Sequence, residues 1–184
     1  MIGAGVQARE HLRFLPLVRE FKEIRLASLI FSDAQRLAER FHGVRAVGDV
    51  EEAVRSSDVV CLATHSPEPV IQSAWIQPGT HVSSVGYFPP HGELPPDLAR
   101  RHKLFIETTE SFSPPPVGCA ELQGLDSGHG TCLGEVLLGR KSGRDNPEQI
   151  TVYKAMGTAM EDLVAAEVVF AEAKRRGVGQ IVTL

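Results

Sequence analysis

The chemistry most legible in this sequence sits at its start. Met1-Ile2-Gly3-Ala4-Gly5-Val6-Gln7-Ala8 reads as G-x-G-x-x-A, the turn by which a parallel strand enters a helix around the pyrophosphate of a dinucleotide. Gly3 permits the tight turn, Gly5 lets the backbone approach phosphate oxygens, and Ala8 lets the helix lie close to the sheet. The helix that follows would aim its free N–H groups and positive dipole end at the phosphates. Such a turn follows a strand of about five residues, whereas only Met1 and Ile2 precede it here. Two explanations stand open: a chain cut inside its first strand, or a start displaced from that of a complete protein.

A second chemical signal belongs at the end of the second strand. A site for NAD places an acid there for the ribose hydroxyls, and a site for NADP a basic residue. Ser28-Leu29-Ile30-Phe31-Ser32 offers neither. Ser28 and Ser32, with Arg36 nearby, could hold a 2′-phosphate, so the reading leans towards NADP over NAD. The other reactive residue types give less. Seven histidines show no metal-ligand spacing, and no metal is expected. Cys61, Cys119 and Cys132 form no C-x-x-C pair, which fits free thiols in a reducing, cytoplasmic compartment. Glu121 and Glu135 read as capping or surface residues, and His91 and Glu93 as solvated loop residues. Lys154 has two open readings, a contact to a cofactor phosphate or carboxamide and an exposed charge.

Elements that alternate must position these groups. A helix is expected from Val6 to about Phe21, with Leu12, Leu15 and Val18 on one stripe and Pro16 as a kink or break. Strands are expected at 23–28, 44–47, 58–63, 80–85, 103–107 and 149–153. Helices between them cover 34–41 (capped by Ser32), 49–55, 95–101 and 134–138, and the Pro- and Gly-rich tract 113–130 reads as a long loop with a helical turn near Ala120–Leu122. Thr158-x-x-Glu161 is a capping box that opens a last helix. Its broad apolar stripe includes Met160, Leu163, Val164, Val169 and Phe170. The succession predicts an α/β fold, a doubly wound parallel sheet, with ligands beyond the carboxyl ends of the strands. The segments to inspect are Gly3–Ala8, Ser28–Ser32, Ala63–Pro69 and Gly86–Gly92. With 184 residues, 42% hydrophobic content and a net charge of −4, the chain has enough apolar mass for one core. It has no basic patch for nucleic acid and no apolar run of the roughly 20 residues that a membrane helix needs.

An ordered set of segments then carries a resemblance. Ile2-Gly3-Ala4-Gly5-Val6-Gln7-Ala8, Ala63-Thr64-x-Ser66-Pro67-Glu68-Pro69-Val70, Trp75-x-x-Pro78-Gly79-Thr80-His81-Val82, Glu93-Leu94, Leu133-Gly134-Glu135-Val136-Leu137-x-Gly139-Arg140, Ile150-Thr151-Val152-Tyr153-Lys154-x-x-Gly157 and Glu161-Asp162-x-x-Ala165-Ala166 together resemble the ornithine cyclodeaminase/mu-crystallin family. The resemblance implies an NAD(P)-dependent oxidoreductase or cyclodeaminase that moves hydride to or from an amino acid or cyclic imine. It implies Gly3, Gly5, Val6, Gln7 and Ala8 at the pyrophosphate, and Ala63, Thr64 and His65 beside the ribose or nicotinamide. Val85 and Gly86 would lie near the nicotinamide ring, and Met156 and Gly157 would close that side.

In complete members a substrate-binding, dimer-forming domain comes first and supplies the substrate-carboxylate Arg and a catalytic Lys. The expected organisation is therefore a dinucleotide domain at 1–157 and a C-terminal helix and tail at 158–184 that return towards that other domain, in a homodimer. One departure concerns the chemistry. Where cyclodeaminases and alanine dehydrogenases of the family carry a catalytic Asp, this chain has Phe88. Imine reduction is then favoured over cyclodeamination. A ligand-binding protein without catalysis and an inactive truncated product are the alternatives.

Overall fold

The structure is a computed structural model that describes residues 1–180 and 182. Ile181, Thr183 and Leu184, at the end of the expected C-terminal tail, lie outside the described residues. The elements run α1 (Val6–Val18), β1 (Ile24–Leu26), α2 (Phe31–Ala38), β2 (Val44–Ala46), α3 (Val50–Val54), β3 (Val59–Leu62) and β4 (His81–Ser84). After these come α4 (Pro96–Arg101), β5 (Lys103–Ile106), β6 (Gly130–Cys132), α5 (Leu133–Leu137), β7 (Thr151–Lys154) and α6 (Ala159–Arg176).

Every strand pairing is parallel, in the orders β1-β2 and β3-β4-β7-β5-β6. Ile2 joins the two sets, bridging Ala27 on one side and Leu62 on the other. Its N–H donates to the Cys61 carbonyl at 2.8 Å and its carbonyl accepts from Ala63 N at 2.8 Å. The residues before the glycine turn thus occupy the centre of the sheet.

Alternation along the strands explains why both faces are covered. Leu26, Cys61 and Ala63 face a cluster with Ala8 and Leu12 of α1 and Ala34, Leu37 and Ala38 of α2. Ala27, Val60, Leu62 and Val82 face the opposite cluster with Ala53 and Val54 of α3 and Leu98 and Ala99 of α4. With side chains at i and i+1 on opposite faces, a strand buried on both faces must be apolar almost throughout; β3, Val59-Val60-Cys61-Leu62, meets that, while β4 buries Ser84 beside Val82. The fold is α/β and doubly wound, as the alternation of elements predicts.

Local differences have identifiable causes. α1 ends at Val18, two residues past Pro16, and Val18 is 82% exposed, so the expected stripe runs out where the proline does. Ser32 does not cap α2: the helix begins at Phe31 with Ile30 in the cap position, and no side chain caps it. Within the tract read as a long loop, a 3₁₀ turn does form at Ala120–Leu122, and Gly130–Cys132 at its end is a strand paired with β5. α6 carries the capping box, with Thr158 Oγ1 accepting from Glu161 N at 3.3 Å. None of its residues is buried, and Met160, Leu163, Val164, Val168, Val169 and Phe170 are exposed.

Candidate functional site

Beyond the carboxyl ends of β1, β3 and β4 lies a cleft of about 740 Å³. The glycine turn forms its floor. Gly3 has φ +109°, a conformation L side chains rarely adopt, and a Cβ there would meet the Ala63 carbonyl oxygen at 2.2 Å. Gly5 is different: its φ is −84° and no protein atom lies within 4 Å of an added Cβ. The space above Gly5 opens on the cleft.

The start of α1 also departs from the other long helix starts. It has neither a side-chain cap nor an acid in its first turn, whereas α6 has its capping box with Glu161 and Asp162 and α2, also uncapped, has Asp33 in its first turn. The first backbone bond of α1 is Arg9 N to Gly5 O at 3.1 Å. The N–H groups before it have no partner in the helix itself, and the positive end of the helix meets no acid. An anion in the cleft would satisfy both.

Of the residues expected at the site, Gly3, Gly5, Val6, Gln7, Ser28, Ala63, Thr64, His65, Val85 and Gly86 all line this cleft. Ala8 lies behind it, fully buried against the sheet. Ser32 is exposed on the outer turn of α2 and does not line the cleft, and Arg36 is paired with Asp33. Met156 and Gly157 do not line it either: Glu107 accepts their N–H groups at 3.0 and 2.9 Å, and Met156 Sδ packs 3.7 Å from Cys119 Sγ. Burial pushes the Cys119 thiol up to about 12, so this cysteine is not a thiolate nucleophile at neutral pH. Phe88 stands edge-on to His65, with ring centroids 4.5 Å apart.

The sequence reading missed Leu29, Val50, Val70 and Tyr87 on the cleft wall. Leu29 and Tyr87 lie inside the segments Ser28–Ser32 and Gly86–Gly92, singled out for their place after a strand. Val50 and Val70 carry no chemical signal that would mark them. Among the described residues lining the cleft there is no Asp, Glu, Lys or Arg.

The charges lie beneath the wall instead, and here three expectations are overturned. Lys154 is neither exposed nor in the cleft: it is fully buried, with Nζ 2.9 Å from Glu121 Oε1. Glu121 is no surface residue but 5% exposed. Glu93, read as solvated, is 1% exposed and accepts four hydrogen bonds. His91 is exposed as expected. Their positions near one another come from chain topology, because β7 inserts between β4 and β5 and brings Lys154 beside Ser84. Among the described residues no group of three His, Cys, Asp or Glu comes together as a metal site, and no helix is long and apolar enough to cross a membrane.

Comparison with known proteins places this geometry in a family. The chain is 36% identical over 172 residues to the ketimine reductase mu-crystallin of Mus musculus, a match over 92% of this chain and 53% of that protein. Among solved structures it is similar to the Thermococcus litoralis Δ(1)-pyrroline-2-carboxylate reductase in complex with NADH and L-proline. That match has a TM-score of 0.88 and 31% identity, and it covers 98% of this chain and 59% of that one. An archaeal alanine dehydrogenase dimer with bound NAD aligns with a TM-score of 0.86 and 28% identity over 100% of this chain and 59% of that one. The chain therefore spans somewhat more than half the length of the relatives it matches. The model of the ornithine cyclodeaminase/mu-crystallin family matches residues 1–177, and the chain belongs to that family.

Proposed function

We propose that this chain supplies the dinucleotide-binding unit of an NAD(P)-dependent oxidoreductase whose reaction moves hydride to or from a carbon bearing nitrogen in an amino acid or cyclic imine. The observation that carries the reading is the uncapped, acid-free start of α1 opening on an uncharged cleft through Gly5. A diphosphate supplies the negative charge that this helix end lacks. The nicotinamide brings the hydride chemistry, and the chain's own residues hold and orient it.

With the diphosphate at Gly5, the adenosine lies towards Ser28 and Leu29, at the end of the second strand. The nicotinamide lies towards Thr64, His65, Val85 and Gly86. At the adenosine end a 2′-phosphate would meet the Ser28 hydroxyl and no unpaired cation, since Arg36 is held by Asp33. The lean towards NADP rests on Ser28 alone, and the two cofactors should differ by less than about tenfold in affinity, or about 1.4 kcal/mol.

Among the described residues lining the cleft there is no Lys or Arg to pair with a substrate carboxylate, so substrate recognition is assigned to groups outside the cleft. The exposed apolar face of α6 is the surface that meets them, in a homodimer of a protein with the further length its relatives have. Phe88, packed on His65 where a carboxylate would activate water, favours imine reduction over cyclodeamination. The same feature supports a second reading, ligand binding without catalysis.

Fluorescence titration of the chain with NADH and NADPH tests the first step, and saturable binding of both is expected. NAD(P)H oxidation with a panel of cyclic imines, by a protein that carries this chain together with the further length its relatives have, separates the readings. Binding without turnover would leave the ligand-binding reading, and no binding would end both.

A further inference from the structure

Three ionisable side chains, Glu93, Glu121 and Lys154, are buried together, and that calls for an explanation. Taking such groups out of water costs several kcal/mol each unless pairing and hydrogen bonds compensate, and the bonds they make show what they hold. Glu93 Oε2 accepts from the Thr64 N–H at 2.7 Å and from its hydroxyl at 2.6 Å. Its Oε1 accepts from Ser84 Oγ at 2.9 Å and from Gly86 N at 2.7 Å. Lys154 Nζ donates to Ser84 Oγ at 3.1 Å and to the Gly86 carbonyl. The peptide groups on both sides of Gly86 are therefore fixed, the N–H by a carboxylate and the C=O by an ammonium, with Ser84 bridging the two charges. The Glu93 carbonyl also accepts from Val70 N at 3.0 Å.

Every group that Glu93 fastens to the cleft (Thr64, Val70 and Gly86) lies on the wall across from Ser28, and Glu93 itself does not line it. Gly86 has a matching requirement: an added Cβ would lie 2.5 Å from the Glu93 carboxyl carbon and 2.5 Å from the Thr64 carbonyl oxygen. The absence of a side chain there is what lets the carboxylate reach both strand ends.

We propose that Glu93, braced by Lys154 through Ser84, is a positioning residue for the nicotinamide half of the cofactor: it fixes the peptides that follow β3 and β4 at the separation that half requires. The proposal rests on the dinucleotide reading above. It differs from a general role in folding, because none of the network's hydrogen bonds reaches the glycine turn or Ser28, which would take the ADP-ribose half; Gly3 meets it only by packing beside the Thr64 methyl group.

The two halves of the ligand therefore supply the test. In the native 184-residue chain NADH binds more tightly than ADP-ribose. Glu93→Gln keeps the shape but turns an acceptor into a donor against Thr64 or Gly86. It lowers NADH affinity by about tenfold or more, while ADP-ribose affinity stays within about twofold, differences that titration resolves. Parallel losses for both ligands would mean a merely structural role and overturn the proposal, as would no loss for either. A native chain that binds neither ligand would instead refute the dinucleotide reading and take this proposal with it.

Should Glu93→Gln fail to fold, amide hydrogen exchange on the unaltered chain decides. NADH slows exchange at Thr64 and Gly86 and ADP-ribose does not. Equal slowing by both, or by neither, overturns the assignment.

Discussion

The two glycines of the opening turn answer to different constraints, and one alanine at each position separates folding from binding. At Gly3 an alanine would have to hold φ +109°, which costs about 1–3 kcal/mol. Its Cβ would also overlap the Ala63 backbone oxygen at 2.2 Å, an atom fixed in the sheet by its neighbours. Together these should remove about 3–4 kcal/mol, close to the upper end of single-substitution effects. For a chain of this size that lowers Tm by about 6–16 °C.

At Gly5 the backbone is already extended and an added Cβ meets nothing. Loss of the better helix-cap residue costs a few tenths of a kcal/mol or more, and reduced freedom of the unfolded chain returns about 0.4–1 kcal/mol. Stability therefore changes by less than about 1 kcal/mol. The methyl group of Gly5→Ala projects into the space where phosphate oxygens would approach, and a loss of about 2 kcal/mol of binding there weakens affinity about thirtyfold. Differential scanning fluorimetry without ligand and NADH titration read the two effects independently. If Gly5→Ala bound NADH as the native chain does, the placement of the diphosphate would be wrong. If Gly3→Ala melted with the native chain, the strain argument would be.

Two further outcomes follow from buried titratable groups. Lys154→Met leaves Glu121, the Ser84 hydroxyl and the Gly86 carbonyl without their cation, and removing one member of a buried pair costs about 3–5 kcal/mol; adding Glu121→Gln should recover part of that loss, and strictly additive losses in urea denaturation would refute the coupling. His81 is held below its ordinary value first by burial and then by nearby Arg144, with Nδ1 2.8 Å from Thr151 Oγ1. As pH falls below about 6.5, the unfolded chain takes up a proton that folded His81 does not, so its contribution to stability declines from there down through the folded value. His102 shifts the same way, with burial as its main cause, and Glu107, which burial pushes up, acts in the opposite sense. The deciding quantity is thus the change between native and His81→Gln in the slope of Tm from about pH 7.5 to 5, and an unchanged slope would show that His81 does not carry it.

What could be read from the sequence was local, and what could not was made by distant pairing. The glycine turn, the apolar run Val59–Leu62 and the box formed by Thr158 and Glu161 announce themselves within a few residues, because turn sterics, double-sided burial and capping act at that range. Gly130–Cys132 is a strand only because β5 offers it an edge; its own three residues have no period. The expectation that Ser32 caps a helix relied on residue type, but α2 begins at Phe31, so Ser32 falls within its first turn. Glu93 and Glu121 read as loop or surface charges, and an exposed charge is one of two open readings for Lys154, because the groups that bury them are remote in sequence. Their partners lie 29 residues away from Glu93 at Thr64 and 70 residues away from Lys154 at Ser84. One signal was available: Lys154 ends a strand-like run, Thr151-Val152-Tyr153, and the carboxyl end of a strand is where an α/β fold puts its site.

The placement of charge has a consequence for binding. A carboxylate on the cleft wall at about 5 Å from a phosphate would oppose it by about 3 kcal/mol at an effective dielectric of 20. A lysine there would attract phosphate, but at the entropic cost of fixing a long side chain. Backbone N–H groups at the start of α1 avoid both penalties, since folding has already fixed them. Charge is nevertheless what holds a peptide group most firmly, because hydrogen bonds to ionised partners are about twice as strong as neutral ones. Glu93 and Lys154 apply that strength from below, to Thr64 and Gly86, with the Ser84 hydroxyl between them and Glu121 as the ion-pair partner of Lys154. A wall that binds through neutral backbone and is stiffened by buried charges behind it, rather than lined by them, can accept a diphosphate and keep the far half of the ligand in register.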